Sequence, residues 1–237
     1  MYPTLLRKCL LDVIYMTHDH TGNKVSDHDI DEGKYWPARA HTMIGNKRLL
    51  NIQYCFEDII KNNIEGDLIE TGVWRGGSTI FMAGLNKYYD QNRKIYVADS
   101  FEGLPPPDTK YPVDNGDGHH TIEFLAVSQE EVMNNFRKYD LLDENVIFIK
   151  GFFETSLVNI TTDKLAILRL DGDMYSSTIQ VLEQLYDKVQ IGGYIIIDDY
   201  ALHGCKMAVN DFRKQRNIKD EMIKIDFTGM FWKKTIL

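Results

Sequence analysis

Five short apolar runs constrain the fold of this chain more than any other feature. They are Asp67–Glu70, Ile95–Asp99, Val146–Ile149, Leu165–Leu170 and Tyr194–Ile197. Within each run the apolar residues follow one another instead of alternating with polar ones. A strand of that kind has both faces covered, which is the signature of a parallel sheet with helices on either side. The intervening stretches carry helical periodicity, from Ser78 to Tyr88, Ser128 to Tyr139 and Thr178 to Val189. Two more strand-like pieces, Met222–Asp226 and Met230–Lys234, follow near the end of the sequence. The expectation is an α/β fold with a doubly wound, mostly parallel sheet.

The first part of the chain differs. Leu5, Leu6, Cys9, Val13 and Ile14 recur at helical spacing, and so do Leu49, Ile52, Cys55, Phe56, Ile59 and Ile60 from about Asn46 onward. Between them, Thr17 to Gly33 is polar and rich in His, Asp and Gly, and predicts a loop. Residues 1–62 thus read as a helical extension and residues 63–237 as the α/β domain, the two forming one structural unit. The segment Glu102–His120 is too long and too rich in Pro, Asp and Gly for a plain connector, and loops of that length are usually functional or disordered.

Charge narrows the partners. The formal net charge is −8, which opposes a phosphate backbone or an anionic membrane surface as the main partner. No apolar run approaches the roughly 20 residues of a membrane helix. Cys9–Leu10–Leu11 is interrupted by Asp12 with no small-residue cleavage site after it, so it does not read as a signal peptide. Cys9, Cys55 and Cys205 are odd in number and far apart, which fits neither a zinc site nor a disulfide framework. The expectation is a cytoplasmic protein with reduced thiols.

In open parallel sheets, ligands bind beyond the carboxyl ends of the strands. The first strand is followed by Glu70–Thr71–Gly72–Val73–Trp74–Arg75–Gly76–Gly77–Ser78. Its glycines allow a sharp turn and close approach to a ligand, and Gly77–Ser78 can start a helix whose free N–H groups favour an anion. The spacing is not that of a dinucleotide site, and a tight strand-to-helix turn would need the same glycines. The second strand ends Asp99–Ser100–Phe101. Asp99 can accept hydrogen bonds from both ribose hydroxyls of an adenosine, or cap a helix. The third strand is followed by Gly151–Phe152–Phe153, where an aromatic face can lie on adenine or fill the core.

The fourth strand ends Asp171–Gly172–Asp173 and the fifth Asp198–Asp199–Tyr200. In the doubly wound order these strands are neighbours, so four carboxylates meet on one rim. Like charges raise each other's pKa or bind a cation. Oxygen-only donors suit Mg²⁺, with Mn²⁺ or Ca²⁺ also admitted, over zinc. Helix capping explains one or two of these aspartates but not four. A divalent ion beside a nucleotide-like pocket would grip a substrate hydroxyl and lower its pKa. A carboxylate not used as a ligand would then take the proton, with Asp173 the candidate base, and the oxygen would attack an electrophilic methyl held in line by the first site.

Together, residues 69–77 (IETGVWRGG), 99–105 (DSFEGLP), 168–175 (LRLDGDMY) and Ile197–Asp198–Asp199–Tyr200 resemble the macrocin O-methyltransferase family. Upstream, residues 39–45 (RAHTMIG) are similar to that family's lid motif. The likeness runs from about Tyr2 to Asp211. It implies a class I methyltransferase fold, a mostly parallel seven-stranded sheet with helical N-terminal additions. It implies S-adenosylmethionine, Mg²⁺, a sugar-containing small-molecule acceptor and a homodimer or higher homo-oligomer. By that likeness Asp171, Asp198 and Asp199 match metal ligands and Asp173 the general base. Met43, Glu70, Thr71, Gly72, Gly76, Ser78, Asp99, Ser100, Phe101, Gly151, Phe152 and Asp171 fall at cofactor positions. The family commonly has Gly-Trp-Phe where this chain has Gly151–Phe152–Phe153. Of the pair His119–His120, His120 fits best the place of a single family histidine near the substrate. Methylation of a catechol or other vicinal diol is the runner-up reading. A catalytically silent binding protein on the same fold is the third.

Overall fold

The computed structural model describes residues 1–15 and 17–236. In chain order the elements are helices α1 (Tyr2–Leu10), α2 (Asp27–Glu32) and α3 (Asn46–Lys61), then β1 (Asp67–Thr71), α4 (Gly77–Tyr88), β2 (Ile95–Asp99), α5 (Gln129–Lys138), β3 (Val146–Lys150) and the single turn α6 (Phe153–Ser156). There follow β4 (Leu165–Leu170), α7 (Tyr175–Leu185), β5 (Val189–Ile197), α8 (His203–Gln215), β6 (Ile223–Lys224) and β7 (Met230–Lys233).

The seven strands form one sheet in the order β3-β2-β1-β4-β5-β7-β6. The first five are parallel, and β7 runs antiparallel to both β5 and β6. Every residue of β4 is buried, as its unbroken apolar run requires, because helices cover both faces. On one face Leu68, Val97 and Ile167 pack with Leu6 and Leu10 of α1, Leu49, Ile52 and Phe56 of α3, and Phe81 of α4. On the other, Ile69, Leu168 and Ile195 pack with Leu182 of α7 and Phe212 of α8. The N-terminal helices therefore share the main core.

Four elements differ from the sequence reading. The helix expected over Thr178–Val189 stops at Leu185, and β5 begins at Val189 instead of Tyr194. Gly192, at φ 87°, lets the strand resume after a shift of register against Leu165–Ile167. Between α7 and β5, Tyr186–Lys188 form a 3-10 turn, so only Val189 of the expected helix belongs to the strand. Val13 and Ile14 lie beyond α1, which ends at Leu10; Asp12 beyond it is left-handed at φ 55°. The polar segment Thr17–Gly33 contains α2. Ser26 caps it by accepting from the Asp29 N–H at 3.1 Å, and left-handed Gly33 closes it.

Candidate active site

The strand order reverses between β1 and β4, so their chains leave in opposite directions and open a crevice at the carboxyl rim. Gly72 sits at φ 85°, and a Cβ there would lie 1.6 Å from the Asp171 carbonyl oxygen. Only glycine lets β1 and β4 end this close together. Gly72→Ala is expected to destabilise the fold by at least about 3 kcal/mol, because backbone cannot yield like a flexible side chain. Urea unfolding would show it, and a midpoint equal to the parent's would refute the packing argument. Trp74 (φ 47°), Phe101 (φ 58°) and Asp173 (φ 57°) are also left-handed, one in each loop after β1, β2 and β4. Asp99 helps hold the first two loops by accepting from the Val73 N–H at 2.7 Å and the Phe101 N–H at 2.8 Å.

Two cavities adjoin at this rim. One, of about 690 Å³, is lined by Gly72, Asp99, Ser100, Phe152, Phe153 and Gln180 among others. The second, of about 970 Å³, is lined by Tyr35, Trp36, Arg48, His119, Asp199 and Phe227 among others. Met43, Trp74, Asp171 and Asp173 line both. The aspartates thus stand where one chamber opens into the other.

Asp171, Asp198 and Asp199 each bring one carboxylate oxygen within 4.8 Å of the others. Asp199 also accepts from the Asp173 N–H at 3.2 Å. The charge of this group is only partly balanced from within. Arg169, fully buried on β4, bonds to Glu70, to Asp198 and, at 3.0 Å, to Asp171. Arg48, from α3, bonds to the other oxygen of Asp198 and, at 2.7 Å, to Asp226. Two guanidinium groups thus face a larger number of carboxylates. Burial, and then the proximity of Asp198, push Asp171 up to about 6 against the pull of Arg169. Asp173 is pushed up to about 7 by burial and by Asp171, with His119 opposing. Asp199 rises well above the carboxylate range for the same two reasons, burial and neighbouring aspartates. Glu70 rises to about 7 through burial, and its Oε2 is buried without a partner in the wall of the second cavity.

The N-terminal segment and the long loop close over the rim. The Trp74 indole N–H donates to the Phe124 carbonyl at 2.9 Å. Phe124 stacks on Trp36 at 5.4 Å, and His20 sits against both rings. The Arg75 guanidinium lies 4.2 Å from the centre of the Trp74 ring, a favourable cation–π distance. The expected loop Glu102–His120 carries a 3-10 turn at Pro112–Asp114 and runs into a second at His119–Thr121, and a third, Glu123–Leu125, follows beyond it.

The residues singled out in the sequence are placed unevenly. Met43, Gly72, Asp99, Ser100, Phe152 and Asp171 line the smaller cavity. Glu70 and Ser78 line the larger, where the Ser78 hydroxyl donates to Glu70. Thr71 is buried, with its hydroxyl 3.4 Å from the Arg169 carbonyl. Gly76 backs onto Val132, Phe101 packs on Phe148 at 5.9 Å, and Gly151 donates its N–H to the Asp99 carbonyl at 2.9 Å. These last four shape the loops from behind. His120 is exposed, and it is the adjacent His119 that lines the larger cavity beside Asp173. The 3-10 turn that begins at His119 aims the two rings apart, which sequence spacing does not show. The sequence reading passed over Arg48 and Arg169. An arginine inside the apolar run Leu165–Leu170 is itself a signal, because a buried charge demands partners.

Comparison with known proteins places this geometry in context. The family model described as macrocin-O-methyltransferase (TylF) matches residues 3–234. The demethyldecarbamoylnovobiocin O-methyltransferase of Streptomyces niveus is 47% identical, with 99% of this chain and 94% of that protein covered. The mycinamicin III 3''-O-methyltransferase of Micromonospora griseorubida is 38% identical over 99% of this chain and 96% of its own. The solved structure of the O-methyltransferase NovP superposes with a TM-score of 0.96 at 47% identity, covering 99% of this chain and 98% of that one. The calicheamicin methyltransferase CalS11, at 17% identity and a TM-score of 0.61 over 97% and 91% of the chains, shares the fold.

Proposed function

We propose, from the premise that this chain belongs to the macrocin O-methyltransferase family, that it methylates a sugar hydroxyl of a glycosylated natural product, with Asp173 as the base. The observation that carries this reading is the meeting of two cavities at Asp171 and Asp173. One chamber suits a nucleoside and the other a polar acceptor.

The smaller cavity fits S-adenosylmethionine. Asp99 presents a carboxylate for ribose hydroxyls, Phe152 and Phe153 offer aromatic faces for adenine, and Gly72 leaves room for close approach. The orphaned Oε2 of Glu70, in the wall of the larger chamber, suits an ammonium donor. The aspartate cluster fits Mg²⁺, because its donors are all carboxylate oxygens, three of them within 4.8 Å of one another, and Asp171 and Asp199 are displaced upward by burial and by the neighbouring aspartates. Asp171, Asp198 and Asp199 would hold the ion.

When bound, S-adenosylmethionine supplies the methyl group and Mg²⁺ the Lewis-acid grip that acidifies an acceptor hydroxyl. The chain's own residues do the rest. Asp173 borders both chambers and takes the hydroxyl proton on its carboxylate, whose pKa near 7 suits proton exchange at neutral pH. His119, hydrogen-bonded through Nδ1 to Asp117 at 2.9 Å, faces the acceptor side and supplies a polar contact there. Trp74 and Phe124 bring loop and lid together and exclude water. Residues 1–62 act with the catalytic domain as lid and support. Among the described residues no helix is long and apolar enough to cross a membrane. The family resemblance supports a cytoplasmic homo-oligomer.

The test is turnover of demethyldecarbamoylnovobiocin, with the gain of one methyl read by mass spectrometry. Activity is expected with S-adenosylmethionine and Mg²⁺, lost in EDTA and restored by added Mg²⁺. Full activity in chelator would remove the metal from the proposal. Methylation of a simple catechol but of no glycoside would remove the sugar.

A further inference from the structure

The acceptor-side loop is fastened at one buried point. Asp114 lies in that loop and is 4% exposed. Its two carboxylate oxygens accept from the backbone N–H groups of Tyr175, at 2.8 Å, and Ser176, at 2.9 Å. These are the first two residues of α7, whose own N-cap residue, Met174, has no side chain able to accept them. A carboxylate 61 positions upstream therefore does the work of a local cap. The fit is close, since a Cβ at Gly204 would lie 3.0 Å from Asp114 Oδ1. The Tyr111 ring packs on Tyr175 at 5.6 Å beside it.

The fastening reaches the reacting groups from two directions. Along α7, Asp173 immediately precedes Met174 and Tyr175 and holds a left-handed backbone at φ 57°. Tying down the Tyr175 and Ser176 amides limits how far that turn can relax. Along the loop, the Asp114 carbonyl accepts from the Asp117 N–H at 3.0 Å. The Asp117 carboxylate then takes both the His119 N–H, at 2.8 Å, and the His119 ring, at 2.9 Å. One buried carboxylate thus connects both walls of the acceptor chamber, that of Asp173 and that of His119.

We infer that Asp114 is a positioning residue, which clamps the acceptor-side loop to the start of α7 and sets His119 and Asp173 in register across the chamber. Asp114 lines neither cavity. The inference rests on the reading of Asp173 as the base, and the experiment separates the two.

Asp114→Asn and Asp114→Ala are compared with the parent and with Asp173→Asn. Hydrogen exchange by mass spectrometry is expected to rise about tenfold or more in residues 112–121 and 174–178 of the alanine variant, because a single fastening is lost. S-adenosylhomocysteine affinity by calorimetry is expected to stay within about twofold. With demethyldecarbamoylnovobiocin, kcat is expected to fall about 10- to 100-fold with little change in KM for the cofactor, as misplacement of reacting groups predicts. Asparagine keeps the shape and one acceptor oxygen, so it is expected to rescue part of both effects. Unchanged exchange in the loop would overturn the inference. So would loosening spread over the whole sheet with a parallel loss of cofactor affinity, which marks a general stability defect. If Asp173→Asn stays active while the Asp114 variants loosen the loop and lose kcat, the assignment of the base fails and the clamp stands.

Discussion

Asp173→Asn is expected to lower kcat by about 10²- to 10⁴-fold, the usual contribution of a positioned base, while leaving cofactor affinity nearly unchanged. The substitution is well conditioned. Asparagine has almost the same size and tolerates a left-handed backbone, so the turn at φ 57° need not move. It removes the carboxylate's charge and its ability to accept a proton. Asp173 is also the carboxylate of the cluster that lies outside the 4.8 Å group formed by Asp171, Asp198 and Asp199, so the proposed metal donors stay intact. Steady-state kinetics with saturating Mg²⁺, together with calorimetry of S-adenosylhomocysteine, would measure both quantities. A kcat within tenfold of the parent would disprove the role, and a large loss of cofactor affinity would place Asp173 in the binding of the cofactor instead.

The second large effect is on stability. Arg169→Met is expected to destabilise the fold by about 3–5 kcal/mol, the typical cost of removing one partner from a buried ionic network. The Arg169 side chain is 1% exposed and bonds to Glu70, Asp171 and Asp198. Methionine matches much of its volume, so a cavity contributes little. The loss comes from carboxylates left without a cation, their pKa values already high with it present. Arg48 cannot replace it, because it is engaged with Asp198 and Asp226. Lysine is expected to recover only part of the loss, since its single ammonium cannot fork between carboxylates as a guanidinium does. Urea unfolding in the absence of divalent ions gives the measurement. A loss below about 1 kcal/mol would show that the carboxylates simply protonate and that the network contributes little to the folded state.

The buried network also changes the electrostatic argument for a metal. From sequence, four converging aspartates demand a cation. In the folded protein two cations come from the chain itself, from β4 and from α3. Asp171, Asp173 and Asp199 stay displaced upward despite both arginines. Three carboxylate oxygens within 4.8 Å of one another, on groups that burial and mutual proximity push upward, are a sharper reason to propose Mg²⁺ than the count of aspartates.

The fold was legible because burial on two faces leaves a mark on every residue of a strand. The five continuous apolar runs located β1 to β5, and five of their ends carried the glycines and aspartates of the rim. The start of β5 was not legible. Its first residues, Val189–Gln190–Ile191, are compatible with either period, and Gly192 breaks the pattern that would have decided. The strand-like piece Met222–Asp226 contains β6, but only its two exposed residues Ile223 and Lys224 pair in the sheet.

At the site, the sequence by itself determined which groups were present: a glycine-rich turn, an acid at the end of β2, and paired aspartates after β4 and β5. Each of these is local, set by a few residues whose types the backbone or the ligand requires. Tertiary structure decided which groups face one another. It brought Arg48, Arg169 and Asp226 to the aspartates, turned His119 instead of His120 into the acceptor chamber, and tied Asp114 to α7 across 61 positions. Such contacts depend on how separate elements pack, and packing distances leave no trace in residue spacing.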